Sequence, residues 1–159
     1  MVEKLSLISL VFHAIPEGIA LAALVWAFLK LPFQWKSIVV VGILHGTISY
    51  LVRLLPISFG IHTTLLIFGL TLLICVWSKT YFSTTLFRVV LAVFILALGE
   101  VVIGGSLLAI FKKSWDELQN SQWMRVLLGT PNTLFILVIA LVLKQKTKEI
   151  HATKLNQKA

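Results

Sequence analysis

Charge is scarce in this chain. Only 13% of its 159 residues are Asp, Glu, Lys or Arg, against about a quarter in a soluble domain. Hydrophobic residues make up 58% and mean hydropathy is +0.98, which excludes an ordinary soluble domain. Acidic residues number only six against fourteen basic ones, leaving a net charge of +8. That excess does not point to nucleic acid. The basic residues fall between and after the apolar runs, where lipid headgroups and the bias of positive charge towards the cytoplasm account for them. The single cysteine, Cys75, excludes an internal disulfide, and its spacing from any histidine matches no thiol-protease or metal pattern. It is expected to pack or to face lipid. No internal repeat or low-complexity segment is present. The length suits one compact bundle without a second folded domain.

What the chain does have is apolar runs close to 20 residues, the length that crosses a hydrocarbon core. They predict an all-α polytopic integral membrane protein, a bundle of five transmembrane helices over residues 1–143. The spans are about 5–29, 37–54, 60–78, 84–111 and 124–144. The start is barely basic and the first run is too long for a signal peptide, so uncleaved insertion is expected. The basic tail, 144–159, has no apolar periodicity and is expected to be disordered or to lie on the headgroups. The fifth run is interrupted by Gly129-Thr130-Pro131-Asn132. A helix begun at Pro131 would be only about 20 Å long, so a kinked helix from about Met124 is the better span.

Five spans put the termini on opposite sides. With the tail inside, the inner face carries Lys30, Lys36, Lys79, Arg88, Lys144, Lys146, Lys148, Lys154 and Lys158. The outer face carries Lys4, Arg53, Lys112, Lys113 and Arg125. Nine against five favours the N-terminus out and the C-terminus in, in a multi-pass cell-membrane protein. Trp26, Trp35, Trp77, Trp115 and Trp123 fall near span ends, as an aromatic belt requires.

The first span contains Val11-Phe12-His13-Ala14-Ile15-Pro16-Glu17-Gly18-Ile19-Ala20. His13 and Glu17 are four apart and share a helix face. Pro16 lacks an N–H, which frees the Phe12 carbonyl beside both side chains. At 1.5 Å per residue, Glu17 and His45 come near the midplane. His13, Glu100 and Asn132 lie roughly 3–6 Å towards the outer face, and Arg53 and His62 roughly 9–11 Å towards it. The inner half is almost wholly apolar. Ionisable groups at membrane depth are costly and mark functional sites, so this asymmetry predicts a polar cavity open to the outside and sealed towards the cytoplasm. Its candidate ligand-binding residues are His13, Glu17, His45, Arg53, His62, Glu100 and Asn132. Each has a plainer reading: His13 and Glu17 could simply hold helices together, Arg53 could snorkel, and His62 could be interfacial. Glu100 lies mid-span and must be neutralised or partnered, with His45 or Arg53 as the expected partner. Gly42, Gly46, Ser49 and Arg53 on span two, and Ala14, Gly18 and Ala22 on span one, form small-residue edges. These allow close contact within the chain or in a homo-oligomer.

His13-Ala14-Ile15-Pro16-Glu17-Gly18 resembles the His-x-x-Pro-Glu-Gly signature of ZIP-family zinc transporters. That resemblance implies Zn²⁺ held by His13 and Glu17, donors that suit the ion. It covers six residues; the family's eight spans and second His-x-x-x-Asp/Glu helix have no counterpart here. A broader resemblance runs along residues 5–143. It rests on Ile15-Pro16-Glu17, on Ile48-Ser49-Tyr50-Leu51-Val52-Arg53-Leu54-Leu55-Pro56-Ile57-Ser58-Phe59-Gly60-Ile61-His62-Thr63, on Glu100, and on Trp123-Met124-Arg125-Val126-Leu127-Leu128-Gly129-Thr130-Pro131. The chain is similar there to small five-span membrane modules of spore-forming Firmicutes, found alone or as the input region of GHKL-type sensor histidine kinases. This implies reception or relay of an external signal. The sixteen tail residues leave no space for a kinase core, so any such activity belongs to a partner, or the chain is a truncated input region.

The expected function is therefore a non-enzymatic sensor or receptor module that relays a signal to a cytoplasmic or membrane partner, such as a histidine kinase. The alternative is a small transporter component or metal-binding membrane protein that uses His13 and Glu17. Against transport, the inner half lacks a polar path and no second broken helix completes an inverted repeat. An intramembrane enzyme has less support, because no Ser/His, Cys/His or His-x-x-x-His pair is suitably spaced.

Overall fold

The structure is a computed structural model that describes residues 10–55, 58–111 and 122–156. Lys4, the Pro56–Ile57 turn, the loop from Lys112 to Ser121 with Trp115, and Lys158 lie outside these residues. So do the side chains of Trp123, Arg125, Lys148 and Lys154. Among the described residues the protein is all-helical. Helix α1 opens with a π-turn, Leu10–Ala14, and continues as Ile15–Phe28. Helix α2 is Trp35–Arg53 and α3 is Phe59–Ser78. Helix α4 runs Phe82–Gly99, passes through a π-turn at Glu100–Gly104 and ends as Gly105–Phe111. Helix α5 is Gln122–Asn156. The first four are each long and apolar enough to cross a membrane.

Pro16 explains the first π-turn. Its ring crowds the preceding turn and it donates no hydrogen bond; the wider turn Leu10–Ala14, ending two residues before it, takes up that misfit. Pro131 is absorbed differently. It lies within an unbroken α5, while Thr130 and Thr133 donate to the Val126 and Gly129 carbonyls at 2.6 and 3.1 Å. The helix that begins well before Pro131 is thus the one formed. The basic segment beyond Lys144 continues α5 as helix to Asn156. Lys144 to Asn156 contains no Gly or Pro and several strong helix formers, so nothing local ends the helix.

Helix α1 is the hub. It packs against α2, α4 and α5, and α3 closes the bundle between α2 and α4. From Ala20 to Ala27 it is buried on every face, as a helix surrounded by others must be. The core gathers Ala20–Trp26 with Ile38, Val41, Leu70, Ile74, Val89, Ala92, Ile136 and Ala140. All of these lie in the half that ends at the α1–α2 and α3–α4 connections. Trp26 corrects the aromatic-belt reading. It is 3% exposed and belongs to this core, whereas Trp35 and Trp77 are exposed at helix ends as expected.

The small-residue edges meet inside the chain. A methyl group on Gly18 would collide with the Gly42 carbonyl oxygen and stand 3.1 Å from the Gly46 nitrogen. One on Gly46 would stand 2.6 Å from the Ala14 carbonyl oxygen. The α1–α2 crossing therefore brings backbone against backbone, which only small residues permit. At the opposite flank, the Lys144 ammonium of α5 lies 4.5 Å from the Phe33 ring centre and 5.4 Å from that of Trp35. The two rings meet edge to face at 4.9 Å. This contact ties the α1–α2 loop to α5 at the core end of the bundle.

Candidate functional site

Many hydroxyl groups in these apolar helices bond a carbonyl one turn back on their own helix. Thr47 donates to Ile43 at 2.8 Å, Thr64 to Gly60 at 2.9 Å, Thr71 to Ile67 at 2.7 Å and Ser106 to Val102 at 2.6 Å. Ser78, Thr80 and Thr85 add a hydroxyl chain across the α3–α4 turn, with steps of 3.1 and 2.8 Å. Against that background three buried polar atoms have no protein partner among the described residues: His45 Nδ1, His62 Nε2 and Asn132 Oδ1. His45 and Asn132 are 5% and 6% exposed. All three lie in the half of the bundle away from the apolar core.

In that half, π-turn Leu10–Ala14 carries His13, and its Nε2 stands 3.5 Å from Glu17 Oε2 one turn on. The imidazole lies against Gly129 of α5, where any side chain would overlap it: a methyl there would be 2.6 Å from Nδ1. Ala14 and Gly18 face α2, so Glu17, between these directions around the helix, points to the seam between α5 and α2. Both members of the pair are partly accessible, at 25% and 20%. His45 projects from α2 next to Gly46. Glu17 and Arg53 are the charged groups close enough to act on it, and Arg53 also acts on His62. Five of the seven expected residues, on α1, α2 and α3, thus lie within electrostatic reach of one another in series, with His13–Glu17 the pair in contact.

Asn132 joins from α5. Its Nδ2 donates to the Leu96 carbonyl of α4 at 3.1 Å, and its side chain occupies the space that a β-carbon on Gly99 would need. It sits one turn beyond Gly129, and hence one turn beyond the His13 ring. Glu100 does not join. It is exposed on α4 and makes no ion pair with His45 or Arg53; the only ion pair among the described residues is His13–Glu17. Gly99 takes the inward position against Asn132, and Glu100, the next residue, lies about 100° further round the helix. Gly99 and Gly129, which seat Asn132 and His13, were not singled out in the sequence. Their signal was the spacing to polar residues on other helices, which one chain does not display.

Zinc takes four ligands; His13 and Glu17 offer two, and no group of three His, Cys, Asp or Glu side chains occurs among the described residues. Chemically, the arrangement can accept and donate hydrogen bonds through His45, His62 and Asn132, and can meet charge of either sign at Glu17 and Arg53. Comparison with protein-family models, curated proteins and solved structures gives no match.

Proposed function

We propose that the chain is a receptor-type membrane module whose polar half binds an external ligand and whose α5 carries the response across the bilayer. All five helices then cross the membrane, with the N-terminus outside and the α1–α2 and α3–α4 connections at the cytoplasmic face. The observation that carries this reading is the pair of nine-tenths-buried side chains, His45 and Asn132, with unbonded polar atoms beside the accessible His13–Glu17 pair. A buried polar atom without a partner costs about 1–3 kcal/mol, a cost that a hydrogen-bonding ligand would remove. The filled core in the other half supports reception rather than passage: its buried polar side chains among the described residues, Thr71 and Thr85, bond back to their own helices. Helix α5 supports relay: it touches the site through Gly129 and Asn132 and continues past Lys144, about 52 Å in all. A histidine kinase or other membrane protein would be the recipient.

Cysteine accessibility in the full chain tests this. In a Cys75→Ser background, His45→Cys should react with a charged methanethiosulfonate applied from the N-terminal side. It should resist the same reagent applied from the other side, and Leu24→Cys should resist both. Reaction of His45→Cys from both sides would favour the transporter reading that the 3.5 Å His13–Glu17 contact keeps open. In that case purified protein should also carry zinc that His13→Ala and Glu17→Gln both lose.

A further inference from the structure

Glu100 raises a separate question. It belongs to a helix of membrane-crossing length, Phe82–Ile110, yet it is exposed and has no ion pair or hydrogen bond among the described residues. Its neighbours Val101 and Val102 are 67% and 63% exposed, and a β-carbon on Gly105 would meet no atom within 4 Å. Ala97 is exposed as well. Ala97, Val101 and Gly105 recur at four-residue intervals beside Glu100, so this strip of α4 is both small enough for a second helix to approach closely and interrupted by a carboxyl group. A carboxyl group facing hydrocarbon alone is strongly disfavoured.

We propose that this strip is an interface between two copies of the chain, α4 against α4, with the two Glu100 carboxyls hydrogen-bonded across the two-fold axis. The second copy is the occupant that the observations favour. An isologous contact brings the same residue of each copy to the axis at the same depth, so the match in depth follows from symmetry. A protonated carboxyl both donates and accepts, and is complementary to itself. Among the described residues the cation nearest this depth, Arg53, lies on α2, which α3 and α1 separate from α4. Polar side chains that pair between helices are a recognised source of association in membranes, where apolar faces have no preference for one another over lipid. This interface is independent of the ligand site, since Glu100 stands outside the polar series.

Förster transfer between donor- and acceptor-labelled full-length chains in proteoliposomes tests the pairing. Wild-type transfer should rise with the protein-to-lipid ratio. Glu100→Leu should weaken association about 3- to 30-fold, the range expected for one interhelical hydrogen-bonded pair. Glu100→Gln, which also donates and accepts, should stay within about twofold of wild type. Gly105→Leu, with open space around it in the single chain, should weaken association without lowering the melting temperature. Glu100→Lys should fail to associate with itself but pair with wild type. The proposal is overturned if Glu100→Leu associates as wild type does, or if wild type is monomeric at every ratio. It is equally overturned if wild type stays monomeric but binds a polyleucine helix carrying a lysine at the matching depth, which would assign the strip to a foreign helix.

Discussion

Replacing Gly18 by alanine is the most direct probe of the α1–α2 crossing. The added methyl group would collide with the Gly42 carbonyl oxygen and lie 3.1 Å from the Gly46 nitrogen and 3.3 Å from the Gly42 carbonyl carbon. All three neighbours are backbone, so no rotamer change relieves the contact and the two helices must move apart. Overpacking of this kind costs about 1–3 kcal/mol. Alanine recovers up to about 1 kcal/mol through its better helix propensity. The expected net loss is therefore about 1–2 kcal/mol, with Gly42→Ala and Gly46→Ala alike, because their methyl groups also meet the backbone of α1. Gly60→Ala provides the control: its β-carbon would meet nothing within 4 Å, so only the propensity gain acts and stability should hold or rise. Reversible unfolding in mixed micelles, followed by circular dichroism, separates the two groups. If Gly18→Ala proves as stable as Gly60→Ala, the backbone-to-backbone crossing is refuted.

Other substitutions follow from single contacts. Lys144→Met keeps the aliphatic stem but removes the charge over Phe33 and Trp35; it should cost about 0.5–2 kcal/mol and Lys144→Arg much less, as read by the same unfolding assay. Asn132→Leu should lose the bond to the Leu96 carbonyl and crowd Gly99, destabilising by about 1–3 kcal/mol. Introducing Gly129→Leu should overlap the His13 ring and cost about 1–3 kcal/mol in the same assay. Leu24→Ala, in the filled half, should cost about 2–5 kcal/mol. Val76→Ala, 78% exposed on α3, should cost almost nothing, since lipid replaces the lost contacts.

The helices were legible because an apolar run of the right length has few alternatives. The crossing of α1 on α2 was half legible: Ala14, Gly18, Gly42 and Gly46 announced a close contact but not its partner. The rest of the packing was not, for a physical reason. In a soluble protein the apolar stripe of a helix points to the core; here Val76 facing out and Ile74 facing in are equally apolar, so periodicity carries no direction. Asn132 and Glu100 show the consequence. Both are polar residues at similar depth, yet one points inward to the Leu96 carbonyl and the other outward, because Gly99 and not Glu100 holds the inward position of α4. The extension of α5 past Lys144 was hidden because a solvated helix and an unstructured tail share a composition of Lys, Gln, Glu and Ala.

The two halves of the bundle are built to behave differently. Between Ala20 and Trp26 every face of α1 is covered, and close-packed interiors resist deformation. Towards its start α1 is held by a π-turn, a proline and backbone contacts at Ala14 and Gly18, while Val11 and Phe12 stand exposed at 52% and 58%. π-turns interrupt the regular hydrogen-bond ladder and are common at functional sites. Both π-turns among the described residues, with His13 in one and Glu100 at the start of the other, lie in this looser half, and α5 lies alongside both. A ligand that drew His13 away from Gly129 would free the facing turn of α5, and the packed half would act as its fulcrum. The Lys144 contact with Phe33 and Trp35 sits at the far side of that fulcrum. On the proposed reading, displacement at the polar end would therefore bear first on a cation–aromatic contact rather than on the core.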